Sequence, residues 1–299
     1  MQIILADVLG MCFGVRDALA VIDDIDRPDA VTIHGELVHN EQVLDHLHER
    51  GFRMVEETRR TSLPVTDTVL ITAHGVSQKE RRRLEQAGKR LIDTTCPLVT
   101  RAHDAAQKLQ RGGYHVLVIG KPGHVEVQGV VEDLTSFNII AAPQDVRTYP
   151  HRKLGIMCQT TTPVDLAHRI RRVVEAKNPQ AEVHFVDTIC HPTKDHQKAL
   201  ERLLDQVEAV VVVGGRNSNN TKQLVRRCED RGVPAFHVQD VDDLRPEWFD
   251  GIEVVGLTAG TSTLEETICR VHEGLLALAT PLMASVGGIQ MRSMGNDTM

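Results

Sequence analysis

Short apolar, β-branched runs alternate with amphipathic stretches along most of the chain. TVLITA, HVLVIG, KLGIMC, EVHFVD, EAVVVVGG and EVVGLTAG are hydrophobic at successive or nearly successive positions, the pattern of strands buried on both faces of a parallel sheet. Between them, the stretches 77–85, 99–110, 164–176, 194–206 and 221–231 gather charge on one face, as helices that cover such sheets do. This alternation predicts an α/β architecture with parallel sheets and ligands bound beyond the carboxyl ends of the strands.

A repeat lies under the alternation. Cys12, Cys96 and Cys190 are 84 and 94 residues apart, and each follows a short apolar strand and opens a helix-like segment: IILADVLGMCFGV, RLIDTTCPLVT and VHFVDTICHPT. If Cys96 and Cys190 are equivalent, His124 in GKPGH and Ser218 in GGRNS each stand 28 residues after their cysteine. The first copy is looser, and its matching strand is taken to end in TAHGV at His74. Three pseudo-equivalent units follow, over 13–95, 96–188 and 189–280, with 1–12 packing onto the third to complete its sheet. The stretch 281–299, rich in Met, Gly and Ser, reads as a flexible tail.

Free cysteine is commonly core filler, and Cys158, Cys228 and Cys269, on a strand and two helical patterns, fit that description. The three repeated cysteines sit instead at strand-to-helix junctions, and three converging thiolates mean an iron–sulfur cluster or a metal. Paired Cys-x-x-Cys zinc motifs are absent, as are the P-loop and the Gly-x-Gly-x-x-Gly dinucleotide fingerprint. Widely spaced cysteines in a chain of 299 residues do not form a disulfide framework, which points to a reducing, cytoplasmic setting. A net charge of −7 and 3% aromatic residues argue against general nucleic-acid binding. No apolar run reaches the roughly 18 residues that a membrane span needs.

The strand ends carry polar groups suited to an anion. Leu37-Val38-His39-Asn40 presents His39, ITAHGVS presents His74, and GKPGHVE presents His124 and Glu126. GGRNSNNT presents Ser218 and Asn220, and TAGTST presents Ser262. Imidazoles, hydroxyls, amides and helix N-termini together hold a diphosphate without a large positive charge.

These residues fall into motifs that resemble the 4-hydroxy-3-methylbut-2-enyl diphosphate reductase family, the last step of the methylerythritol phosphate route to isoprenoids. The resemblance rests on Cys12-Phe13-Gly14-Val15, Val38-His39-Asn40, His74-Gly75, Asp93-Thr94-Thr95-Cys96-Pro97 and Gly123-His124-Val125-Glu126-Val127. It continues through Gln159-Thr160-Thr161, Thr188-Ile189-Cys190, Gly215-Arg216-Asn217-Ser218-Asn219-Asn220 and Thr258-Ala259-Gly260. It implies a trefoil of three α/β units around a 4Fe-4S cluster held by Cys12, Cys96 and Cys190, with one iron open to substrate and readily lost to leave 3Fe-4S. It further implies that His39, His74, His124, Ser218, Asn220 and Ser262 hold the diphosphate, that Glu126 delivers protons, and that Thr160 relays a proton or orients the substrate hydroxyl. A ferredoxin or flavodoxin would supply electrons.

The chain departs from the family pattern at Val125, His191, Pro192, His196 and Leu264. None of these is an expected cluster ligand or acid. Three rival readings are a non-catalytic iron–sulfur redox sensor on the same scaffold, a metal-dependent phosphate-ester hydrolase, and a small-molecule binding module with structural cysteines. A sensor needs the thiolates but not the anion-binding set. A hydrolase leaves the three equivalent cysteines without a role.

Overall fold

The computed structural model describes residues 1–57, 60 and 62–279. The stretch 281–299, read as a flexible tail, lies outside the described residues. The elements follow one recurring order. The first unit runs α1 (Phe13–Asp23), β2 (Val31–His34), α2 (Glu41–Glu49), β3 (Arg53–Val55), β4 (Thr68–Ile71), α3 (Gln78–Gln86) and β5 (Arg90–Asp93). The second runs α4 (Pro97–Arg111), β6 (His115–Ile119), α5 (Val125–Val131), β7 (Phe137–Ile140), β8 (Lys153–Cys158), α6 (Val164–Lys177) and β9 (Glu182–Phe185). The third repeats the order with α7 (His191–Leu204), β10 (Ala209–Val213), α8 (Asn219–Asp230), β11 (Ala235–Val238), β12 (Val254–Ala259) and α9 (Glu265–Ala279). Its fourth strand is β1 (Gln2–Leu5), from the opposite end of the chain.

The fold is the expected α/β type, with three four-stranded sheets ordered β3-β2-β4-β5, β7-β6-β8-β9 and β11-β10-β12-β1. Every strand pair is parallel. The central strands β4, β6 and β10 are buried at every position, which is why they read as unbroken apolar runs. The edge strands β5 and β9 are only partly covered.

In the second unit α4 and α5 cover one face, through Ala102, Leu109, Val127 and Val130, and α6 covers the other, through Ala167, Ile170 and Val174. The third unit repeats this, with α7 and α8 on one face and α9 on the other. The helices after the two central strands therefore diverge to opposite faces and leave a crevice between the strand ends. That crevice lies between β2 and β4, between β6 and β8, and between β10 and β12.

This topology corrects the register expected for the first unit. β2, and not β4, takes the place of β6 and β10, so His39 is the counterpart of His124 and Ser218. His74 belongs instead with Thr160 and Ser262, after the third strand of each unit. The short VTIH strand hid the match, although His39 stands 27 residues after Cys12, one fewer than the spacing in the other two units. The structure also corrects the reading of Cys269, which is exposed on α9, whereas Cys158 and Cys228 are buried. No helix among the described residues is long and apolar enough to cross a membrane.

Candidate active site

Each repeated cysteine ends the link from one unit's fourth strand and caps the first helix of the next. Cys12, Cys96 and Cys190 occupy the N-cap positions of α1, α4 and α7. Their main-chain N–H groups make a threefold set of bonds to the neighbouring crevice loops: Cys12 donates to Thr261 O at 3.0 Å, Cys96 to Ala73 O at 3.1 Å, and Cys190 to Thr160 O at 3.0 Å. Each thiol is thus stitched beside one candidate anion-binding residue, namely Ser262, His74 or Thr160.

All eleven residues singled out from the sequence line one cavity of about 100 Å³. Its described lining holds no Lys or Arg. The imidazoles of His39, His74 and His124 cluster on one side. His39 stacks on His74 with centroids 4.4 Å apart, and His124 meets them edge-on at 5.1 and 5.8 Å. Burial and mutual repulsion push the His74 pKa well below its ordinary value, and burial, reinforced by His39, pushes that of His124 down to about 3. At neutral pH these two rings are uncharged donors and acceptors. His124 caps α5 by accepting the Glu126 N–H on Nδ1 at 3.2 Å, which leaves the proton on Nε2.

Glu126, in the first turn of α5, is 2% exposed. Its carboxylate takes both donors of one residue: Thr160 N–H lies 2.7 Å from Oε1 and the Thr160 hydroxyl 2.8 Å from Oε2. Burial raises the Glu126 pKa, against the pull of those donors and of His39.

Opposite, Ser218 caps α8 by accepting the Thr221 N–H at 3.2 Å. Asn40 caps α2 and donates Nδ2 to Ser262 O at 2.7 Å, fastening the first unit to the third. Asn219 donates to Thr161 Oγ1 at 2.8 Å, fastening the third to the second. Three buried polar atoms of the site, His74 Nδ1, Asn220 Nδ2 and Ser262 Oγ, have no partner. Each such orphan costs about 1–3 kcal/mol, and a ligand rich in acceptor and donor oxygens relieves all three.

The three thiols are soft donors of the kind that hold a metal or an iron–sulfur group. They face one cavity, and burial raises all three pKa values, that of Cys190 to about 11, against the helix N–H groups that pull Cys12, Cys96 and Cys190 down. Such thiols ionise once a cation binds them. Convergence is tight around α1: a Cβ on Gly14 would lie 2.5 Å from Cys96 Sγ. Among the described residues, however, no three His, Cys, Asp or Glu side chains are close enough to grip one metal ion.

A LytB protein family profile matches residues 3–276. The chain belongs to the LytB family. It is 36% identical over 296 residues to 4-hydroxy-3-methylbut-2-enyl diphosphate reductase of Methylibium petroleiphilum, covering 97% of this chain and 89% of that protein. The same reductase of Ralstonia nicotianae is 34% identical, with 97% and 90% covered. Among solved structures, the E-1-hydroxy-2-methyl-but-2-enyl-4-diphosphate reductase of Plasmodium falciparum superposes with a TM-score of 0.83 at 27% identity, covering 94% of this chain and 89% of that one. A structure of (E)-4-hydroxy-3-methyl-but-2-enyl diphosphate reductase, described as the terminal enzyme of the non-mevalonate pathway, gives 0.64 at 28% identity, covering 92% and 99%.

The departures from the LytB family pattern have local explanations. His191 stacks on Phe13 at 5.5 Å, joining the starts of α7 and α1. Pro192 lies in the first turn of α7, where no N–H is missed. His196 is buried on α7, and burial lowers its pKa. Val125 is buried on α5, and Leu264 packs against the core of the first unit.

Sequence reasoning did not single out Thr161, Thr193 or Asn219, which also line the cavity. Thr193 carried a signal: it sits three residues into the helix that Cys190 caps, and its hydroxyl lies 3.1 Å from Cys190 Sγ, the spacing of a capping interaction.

Proposed function

We propose that the chain is a 4-hydroxy-3-methylbut-2-enyl diphosphate reductase of the methylerythritol phosphate pathway. It takes two electrons and two protons, breaks the allylic C–O bond, releases water, and yields isopentenyl and dimethylallyl diphosphate. The reading is carried by one observation: a buried, doubly hydrogen-bonded acid, Glu126, shares one cavity with three helix-capping thiols and a set of imidazole, hydroxyl and amide groups suited to an anion.

Cys12, Cys96 and Cys190 would hold a 4Fe-4S cluster that, when bound, supplies the electrons and Lewis acidity toward the substrate oxygen. His39, His74, His124, Ser218, Asn220 and Ser262 hold the diphosphate through N–H and O–H donors, in a lining where burial strengthens each bond. Glu126, its carboxyl held toward the protonated form by burial, gives a proton to the departing hydroxyl, since hydroxide is a poor leaving group. Thr160 orients that carboxyl and presents its own hydroxyl to the substrate oxygen. A ferredoxin or flavodoxin supplies the electrons, and the reaction proceeds in the cytoplasm.

Anaerobic purification followed by iron and acid-labile sulfide assay, a visible spectrum, and reduction of the hydroxylated diphosphate with a dithionite-driven dye tests this. About four irons per chain with turnover supports it. A full cluster without turnover overturns the enzymatic reading, and an iron-free protein overturns the cluster.

A further inference from the structure

Beyond β2 the chain turns at Gly35, where φ is +109° and a Cβ would lie 2.0 Å from Arg60 Nη2 and 2.5 Å from Glu57 Oε1. The positive φ favours glycine, and any side chain here would also have to displace the Arg60 and Glu57 side-chain ends. The turn brings Glu36 to the wall of the site, where its Oε2 is 2.7 Å from His39 Nδ1. Its main-chain N–H donates to Glu57 Oε1 at 2.9 Å, and Glu57 is in turn paired with Arg60 at 2.9 Å. Glu36 therefore braces one member of the stacked imidazole pair, His39, and is itself braced by a partly buried ion pair.

The other contacts of the three rings single out Glu36. His124 Nδ1 accepts a main-chain N–H, and His74 Nδ1 has no partner. Of the hydrogen bonds described for these imidazoles, only the one at His39 is to a carboxylate. A carboxylate on Nδ1 selects the tautomer and fixes the ring plane, as it does for histidines that bind metals or act in catalysis.

We infer that Glu36 is a positioning residue for anion recognition: its carboxylate accepts the Nδ1 proton of His39 and locks the ring so that Nε2–H is presented to the diphosphate. The assignment rests on the diphosphate reading of the cavity. Without Glu36, His39 turns more freely and presents either a donor or a lone pair, and the lone pair repels a phosphate oxygen. A hydrogen bond to a charged group is lost from binding while the acid Glu126 is untouched, so the effect falls on KM more than on kcat.

Kinetics of the holoenzyme and calorimetric titration with inorganic diphosphate test this in Glu36→Ala and Glu36→Gln, with a thermal melt on each. Glu36→Ala is expected to raise KM and weaken diphosphate binding about tenfold or more, with kcat within a few-fold and the cluster spectrum unchanged. Glu36→Gln, whose amide oxygen still accepts from Nδ1–H, recovers most of the affinity. Unchanged affinity in Glu36→Ala overturns the assignment, as does equal impairment of both variants, which marks a merely structural turn. If the wild-type protein itself neither binds diphosphate nor turns over substrate, it is the reading of the cavity that fails. If the wild type binds and Glu36→Ala binds equally, the role of Glu36 alone fails.

Discussion

Replacing Gly14 by alanine separates the stability of the fold from the geometry of the thiols. Gly14 lies in the first turn of α1, directly after Phe13, and is buried. Alanine inside a helix is ordinarily more stable than glycine by about 0.5–1 kcal/mol, and Gly14 has no positive φ to oppose the change. Its new Cβ, however, would lie 2.5 Å from Cys96 Sγ and 3.1 Å from Cys96 Cβ. Ordinary van der Waals contact for such a Cβ begins at 3.4 Å, so the thiol must retreat by about 1 Å, and a displacement of that size costs on the order of a hundredfold in a positioned reaction. The cluster-free protein should melt at or slightly above the wild-type temperature, while iron and sulfide content fall and dithionite-driven turnover drops by tenfold to a hundredfold. Parallel iron assays, visible spectra and melts of both forms decide the matter. Wild-type iron content and turnover would refute the claim that Cys96 is held in place. A large drop in melting temperature without a change in iron would show that α1 yields before the thiol does.

Further outcomes follow from other parts of the fold. Glu126→Gln removes the proton donor but keeps a side chain of the same shape beside Thr160, so turnover should fall by about a hundredfold or more with inorganic diphosphate affinity within a few-fold; an active variant would discard Glu126 as the acid. Because burial raises the Glu126 pKa, the protonated form persists above the ordinary carboxylate range, and wild-type kcat should decline as pH rises through that value. Glu80 behaves oppositely. Burial alone would raise its pKa, but hydrogen bonds from Arg83 and His34 outweigh burial and lower it to about 2. Its contribution, about 1–2 kcal/mol after allowance for partial exposure, is complete above the unfolded pKa near 4.5 and is lost as pH falls toward 2. Urea titrations of wild type and Glu80→Gln should converge across that window, and parallel curves would refute the link. Asn40→Ala removes both the α2 cap and the bond to Ser262 O, and a loss of about 2–3 kcal/mol is expected; a loss under 1 kcal/mol would mean that this clasp between units contributes little.

Local pattern determined a good deal of this protein. β4, β6, β8, β10 and β12 were readable as apolar runs because strands covered on both faces must be apolar, and most of the helices as charged-faced stretches because one face meets water. The three cysteines and the polar strand ends were readable as well, since they recur at similar distances along the chain and such distances need no folding to be measured. The short edge strands β3, β7 and β11 were not, being too brief and too exposed to carry a pattern. The repeat had already placed 1–12 with the third unit; only the tertiary structure decided that β1 pairs there with β12, that His39 and not His74 is the counterpart of His124 and Ser218, and that each cysteine N–H bonds a loop of the neighbouring crevice. The contact of Glu36 with His39, and of Gly14 with Cys96 some eighty residues away, also waited for the folded chain. These are pairings between segments distant in sequence. They depend on strand order and on which face each helix takes, and no local periodicity encodes either.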